Sequence, residues 1–138
     1  MPSGYYKPSS GVFILDKYKM VNPKECDSFE NGFCLMKGET YNNGFFMSYS
    51  GDVSFYLKKK YKLLQFSIGP VDDKKTEEKI ILRIFVDGNQ IDTIINRNYD
   101  DEVKDCSIEI PNVNESKFEW SNGLSSHSYA LANIKVYE

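Results

Sequence analysis

A chain of 138 residues is one domain's worth of polypeptide, long enough to withdraw roughly two-thirds of its unfolded surface from water. A formal charge of −3 and a pI near 5.3, with lysines interspersed among acids, exclude the clustered basic excess of a nucleic-acid binder. No apolar run approaches the ~20 residues of a membrane-spanning helix, and the opening MPSGYYKPSS lacks the order of a secretory signal, which predicts a soluble chain with no membrane insertion and no signal peptide in this stretch.

Met1 to Ser10 is polar and proline-bearing and reads as a flexible N-terminal tail, with a single module over residues 11–138. Val12 to Leu15 is a short apolar run that predicts a strand, and Val21 to Ser28, interrupted by Pro23, predicts a loop. Asn31-Gly32 tolerates the positive φ angles of a tight turn and predicts a small hairpin over Phe29 to Met36. Three cysteines, Cys26, Cys34 and Cys106, are too few and too scattered for a thiolate metal site. They read as reduced thiols, with a Cys26–Cys34 bridge as the alternative.

Tyr41-Asn42-Asn43-Gly44 is a polar turn whose Gly44 is free to take φ > 0. Beyond it, Val53, Phe55 and Leu57 alternate with Ser54 and Tyr56, and Leu64, Phe66 and Ile68 alternate with Gln65 and Ser67, each run offering one apolar face at the period of a strand. Lys58 to Lys60 is the charged corner between them. A polar loop over Pro70 to Lys79 leads to a strand carrying Ile80, Leu82, Ile84 and Val86, and Asp87-Gly88 is a strong hairpin signal before the return strand Ile91 to Ile95. Asn96 to Asp105 reads as irregular, Cys106, Ile108 and Ile110 as a strand ending at Pro111, and Phe118 with Trp120 as the next. The Gly/Ser-rich stretch SNGLSSHS precedes a last strand centred on Ile134 and Val136. Many short strands with close turn signals and no helical periodicity predict an all-β, antiparallel β-sandwich, with Val53, Phe55, Leu57, Leu64, Phe66, Ile68, Leu82, Ile84, Ile108 and Ile134 in its core.

In this order, Gly38-x-x-Tyr41-x-x-Gly44, the strand Val53 to Leu57, Lys60-Tyr61, Ser67-Ile68-Gly69 with Asp72-Asp73, Val86-Asp87-Gly88 and Ala132-Asn133-Ile134 resemble the NPCBM family of carbohydrate-binding modules, over roughly Gly38 to Val136. The resemblance implies a jelly-roll-like β-sandwich that serves as an accessory module of larger bacterial surface proteins and glycoside hydrolases, extracellular or on the cell surface. It also implies binding of galactose-containing glycans by some members and a structural Ca²⁺ in some. Two stretches depart from the family pattern. Where sugar-binding members carry Gly-Thr-His, this chain has Phe45-Phe46-Met47-Ser48, and His-Ala-Asp-Trp is replaced by His127-Ser128-Tyr129-Ala130-Leu131.

The candidate ligand-binding residues are Tyr41, Asn42 and Asn43, whose phenol and amides suit sugar hydroxyls, and Trp120, His127 and Tyr129 near the last loop. Each has a plainer reading: Asn-Asn-Gly as a turn and Trp120 as a core ring. Asp72 and Asp73 are the candidate oxygen ligands for Ca²⁺, with a solvated loop as the alternative. A single histidine with no nucleophile partner gives no catalytic constellation, so no enzyme and no required cofactor are expected. The resulting expectation is a non-catalytic, monomeric module that binds a glycan through loop aromatics and amides. A structural or protein-interaction module is the alternative.

Overall fold

The computed structural model describes residues 11–29 and 31–138, so the expected tail at Met1–Ser10 lies outside the described residues. The elements are β1 (Val12–Phe13), α1 (Ile14–Lys17), β2 (Val21–Ser28), β3 (Cys34–Met36), β4 (Glu39–Tyr41), β5 (Gly44–Tyr56), β6 (Leu63–Pro70), β7 (Ile80–Val86), β8 (Asn89–Arg97), β9 (Lys104–Glu109), β10 (Glu115–Ser121) and β11 (Tyr129–Tyr137). All pairings are antiparallel, and the main sheet runs β8-β7-β10-β5-β11-β6-β9, with β1 on β11 and β2 on β5. The expected all-β sandwich is present.

The long strand β5 organises it. Its first stretch, Gly44 to Met47, pairs with β11, and its second, Ser50 to Tyr56, pairs with β10. Between them Tyr49 sits at φ 53, a left-handed conformation that interrupts the pleat and lets the sheet curl over into two facing layers. Trp120, Phe118, Val53, Phe55, Leu82 and Ile84 come from one layer and Phe45, Met47, Leu64, Ile68, Leu131 and Ile134 from the other, and all are buried in a single apolar cluster. Of the ten predicted core residues nine are buried, while Ile108 is half-buried at the margin of the cluster. Period-two alternation places them there, because every second side chain of a strand faces the same layer.

A second, smaller cluster lies on the outer side of the β5–β11 ladder. Phe46, Ala130 and Ala132 point outward and are covered by Phe29, Cys34, Met36 and Val71, so the β3–β4 hairpin acts as a flap over one open face. Asp72 fastens that flap: its two carboxylate oxygens accept the backbone N–H groups of Lys37 (2.8 Å) and Gly38 (2.9 Å).

Four local readings are corrected. Val21–Ser28 is a strand rather than a loop; Pro23 is tolerated because β2 pairs only with β5, through two register shifts that bracket the proline and Glu25 (φ 52). The small hairpin turns at Lys37-Gly38 (φ 50 and 82), not at Asn31-Gly32, which instead makes a tight turn leading into β3. Val12 to Leu15 is only half strand, since the chain coils into the one-turn α1 at Ile14 and buries that side chain completely. Gly44 does not take positive φ. It is glycine because a Cβ there would stand 2.3 Å from the Leu131 carbonyl oxygen. The Asp87-Gly88 hairpin (φ 50 and 84) is as expected.

Candidate functional site

The outward face of β6, β9 and β11 carries a cleft of about 500 Å³ bounded on one side by β4. Its floor follows from strand alternation. Leu64, Phe66 and Ile68 face the core, so Gln65 and Ser67 face out; on β9, Asp105 and Ser107 do the same. On β11 the pattern needs a correction that only a bulge supplies. Ala132 pairs with Ser67 and Lys135 with Gln65, three residues against two, with Asn133 at φ 52. The extra residue resets the alternation, turning Ile134 and Val136 into the core and Lys135 and Tyr137 onto the cleft. The Asn133 N–H is held by the Asn43 carbonyl at 2.7 Å.

The polar groups on this floor are already paired and oriented. Ser67 Oγ donates to Asp105 Oδ1 (2.6 Å), and Gln65 Nε2 donates to Ser107 Oγ (3.1 Å). Each retains hydrogen-bonding capacity toward the open side. Tyr41 forms the wall, half-buried, its hydroxyl 3.4 Å from Glu39 Oε2. Burial, then the Glu39 and Asp105 carboxylates, push the Tyr41 phenol up from its ordinary pKa, so it remains an O–H donor at neutral pH. The Lys135 ammonium is drawn aside, 4.7 Å over the Phe13 ring. The arrangement offers hydroxyls, amides, two carboxylates and tyrosine rings, a set suited to hydrogen-bonding a polyhydroxylated ligand and packing its C–H face.

Of the residues singled out from sequence, Tyr41 lines this cleft and Asn42 is exposed next to it. Asn43 is turned to Asp16, donating from Nδ2 at 3.0 Å. The other three lie apart from them. Trp120 is 1% exposed and donates its indole N–H to the Ser48 carbonyl at 3.1 Å, and Tyr129 is fully buried with its hydroxyl donating to the Glu78 carbonyl at 2.6 Å. Neither presents a ring face to solvent, which a stacking platform requires. His127, at φ 62, stacks on Phe46 with centroids 4.5 Å apart and an interplanar angle of 17°, and its Nε2 is 2.9 Å from Asp27 Oδ2. Its backbone N–H donates to Ser48 Oγ at 3.1 Å, so the ring is a clasp between β2, β5 and the last loop. Gln65, Ser67, Asp105, Ser107 and Asn133 are not among the ligand-binding candidates read from the sequence. Their polarity on alternate strand positions is visible in sequence, but any solvent-facing strand side looks the same.

Asp72 and Asp73, the candidate Ca²⁺ ligands, follow β6 in the loop beside the β3–β4 hairpin. Both Asp72 oxygens are committed to the Lys37-Gly38 turn, Asp73 stands exposed at φ 62, and among the described residues no group of three or more His, Cys, Asp or Glu is arranged to hold a metal. The three cysteines are free thiols; burial pushes those of Cys26 and Cys34 up to about 12, which makes them inert near neutral pH. No helix among the described residues is long and apolar enough to cross a membrane.

The NPCBM/NEW2 domain family model matches residues 17–133, most of the chain. The chain belongs to the NPCBM/NEW2 domain family. Its fold is that of solved carbohydrate-binding modules. A CBM51 from Clostridium perfringens GH95, in complex with methyl-galactose, superposes with a TM-score of 0.71 at 14% identity, covering 92% of this chain and 99% of that one. The CBM51-2 and INT domains of Clostridium perfringens ZmpB, with GlcNAc, give 0.73 at 15% identity, covering 95% of this chain and 32% of that one. The M60 catalytic domain of ZmpB with CBM51-1 and CBM51-2 gives 0.71 at 16%, with 94% of this chain and 15% of that chain covered. No curated protein matches the chain in sequence.

Within this NPCBM/NEW2 domain the two departures from the family pattern are neighbours. Phe45, Phe46 and Met47 pair residue for residue with Leu131, Ala130 and Tyr129 across the β5–β11 ladder. Tyr129 is core, Ala130 leaves room on the outer face, and His127 fills that side by lying on Phe46.

Proposed function

We propose that this NPCBM/NEW2 domain is a non-catalytic carbohydrate-binding module whose glycan lies in the cleft over β6, β9 and β11. The observation that carries the reading is the convergence of Tyr41, Gln65, Ser67, Asp105, Ser107 and Asn133, from four strands, on one open polar hollow of about 500 Å³. Family membership and the galactose- and GlcNAc-bound neighbours support a glycan as the ligand class. The module works as an accessory part of a larger bacterial protein at the cell surface or outside the cell, a role supported by its spanning only 15% of a neighbouring chain that also holds a catalytic domain. A shallow, solvent-open site of hydrogen bonds exchanges water contacts for protein contacts at small net gain, so a monosaccharide binds with a Kd on the order of 0.1–1 mM.

Titration with methyl-galactose and with GlcNAc, followed by amide chemical shifts, tests this. Shifts at Gln65, Ser107 and Asn133 that saturate, and that Tyr41→Ala or Gln65→Ala weakens severalfold, are the expected outcome. Shifts confined to Asp27, Ser126 and His127 would move the site to the last loop, and no shifts at tens of millimolar would overturn the glycan reading. A protein-interaction module is the second reading, favoured by two apolar groups at the bend: Leu124 is 86% and Tyr49 42% exposed.

A further inference from the structure

A second hollow adjoins the cleft on the same open face. It measures about 260 Å³ and lies between the hairpin turn at Lys37 and the segment Glu102-Val103, while Glu39, Tyr41 and Asp105 border both hollows. Those three residues are the common border of the two hollows. The Tyr41 ring is half-buried in it, and its hydroxyl is held only loosely by Glu39, at 3.4 Å. A phenol so placed can turn its O–H to a ligand that spans the border while its ring supplies apolar contact.

The larger hollow presents the amides and hydroxyls of Gln65, Ser67, Ser107 and Asn133 beside Asp105 and Lys135. The smaller has Val103 as its accessible apolar surface, Met36 being fully buried, with Lys37 and Glu102 at its rim. The Lys37 ammonium is engaged by the Asp100 carbonyl at 3.4 Å, so it steadies the rim. We propose that the two hollows are one groove that takes a glycan of at least two linked sugar units, one on each side of Tyr41. The unit in the larger hollow is hydrogen-bonded by the amides and hydroxyls there; the unit in the smaller packs against Val103 between Lys37 and Glu102. This rests on the glycan-binding reading of the same cleft. A second unit that is covalently linked to the first binds without a second loss of translational and rotational freedom, so affinity rises with chain length up to the groove's capacity.

The test compares galactose and GlcNAc with lactose and lacto-N-neotetraose on the full chain, by calorimetry and by amide shifts. The tetrasaccharide is expected to bind at least tenfold more tightly than either monosaccharide and to shift the Lys37 and Val103 amides, which the monosaccharides leave in place. Glu102→Trp puts an indole over the smaller hollow from an exposed position. In that variant the tetrasaccharide advantage falls to within twofold while monosaccharide binding is unchanged. Monosaccharide binding with no gain from length in the wild-type chain overturns the two-unit groove and leaves the glycan reading standing. A length gain that survives Glu102→Trp with no shift at Lys37 or Val103 also overturns it. Failure of every sugar to bind overturns both.

Discussion

The indole N–H of Trp120 donates to the backbone carbonyl of Ser48 at 3.1 Å, joining β10 to the point where β5 bends. The only tryptophan is therefore a fastening of the curled sheet, buried to 1% exposure and tilted against Phe45 at 5.7 Å. Trp120→Phe leaves the carbonyl without its donor and a void beside Phe45, and is expected to cost about 2–3 kcal/mol; Trp120→Ala reaches about 3–5 kcal/mol. Chemical denaturation measures both. A loss below about 1 kcal/mol in Trp120→Ala would show that the ring does not anchor the bend.

Gly44 is constrained by space. A Cβ would meet the Leu131 carbonyl oxygen at 2.3 Å and the Ala132 Cα at 2.8 Å, both backbone atoms of the paired strand. Gly44→Ala is expected to destabilise by about 1–3 kcal/mol, the range for overpacked sites. Gly88, a turn glycine, has nothing within 4 Å of its would-be Cβ, so Gly88→Ala costs only the φ 84 strain, about 1 kcal/mol. Melting temperatures of the pair check the order: Gly88→Ala falling further than Gly44→Ala would reverse the argument.

The bulge at Asn133 links stability to the cleft. Asn133 tolerates φ 52, whereas a β-branched side chain does not, so Asn133→Val is expected to cost about 1–2 kcal/mol and Asn133→Gly to be near neutral. Asn133→Gly that folds normally but binds sugar severalfold more weakly would separate the side chain's contribution to the ligand from its backbone role.

Alkaline stability should report on Tyr129. Burial, then Asp101 and other nearby groups, push its phenol from 10.0 up to about 12. Because the folded-state value is the higher one, the folded chain holds the proton more tightly. The associated stability is complete below pH 10 and is lost as pH rises from 10 through about 12, amounting to about 2–3 kcal/mol. The Cys26 and Cys34 thiols, raised from 9.0 to about 12, act in the same direction from a lower starting pH. Denaturation midpoints between pH 9 and 12 should fall more steeply for the wild-type chain than for Tyr129→Phe. Equal slopes would show that the phenol is not protected.

How far sequence reaches is clearest where two residues of one type diverge. Phe66 and Tyr41 are both ring residues on short strands, yet alternation assigns Phe66 to the core at once, because a period of two is a local property that survives any packing. The Asp87-Gly88 turn is legible for the same reason, since its φ values are a matter of two residues. The sequence by itself thus determined the all-β class, most strands, the core faces and the family. Tertiary structure alone decided the rest. Asp72 spends its carboxylate on a turn 34 and 35 residues away, Gly44 owes its identity to a strand some 87 positions on, and Trp120 and Tyr129 find backbone carbonyl partners at Ser48 and Glu78. Most decisively, one extra residue at Asn133 reverses which side chains of β11 face the cleft. Each of these depends on which strands meet and in what register, and that is settled by long-range packing rather than by any local preference of the chain.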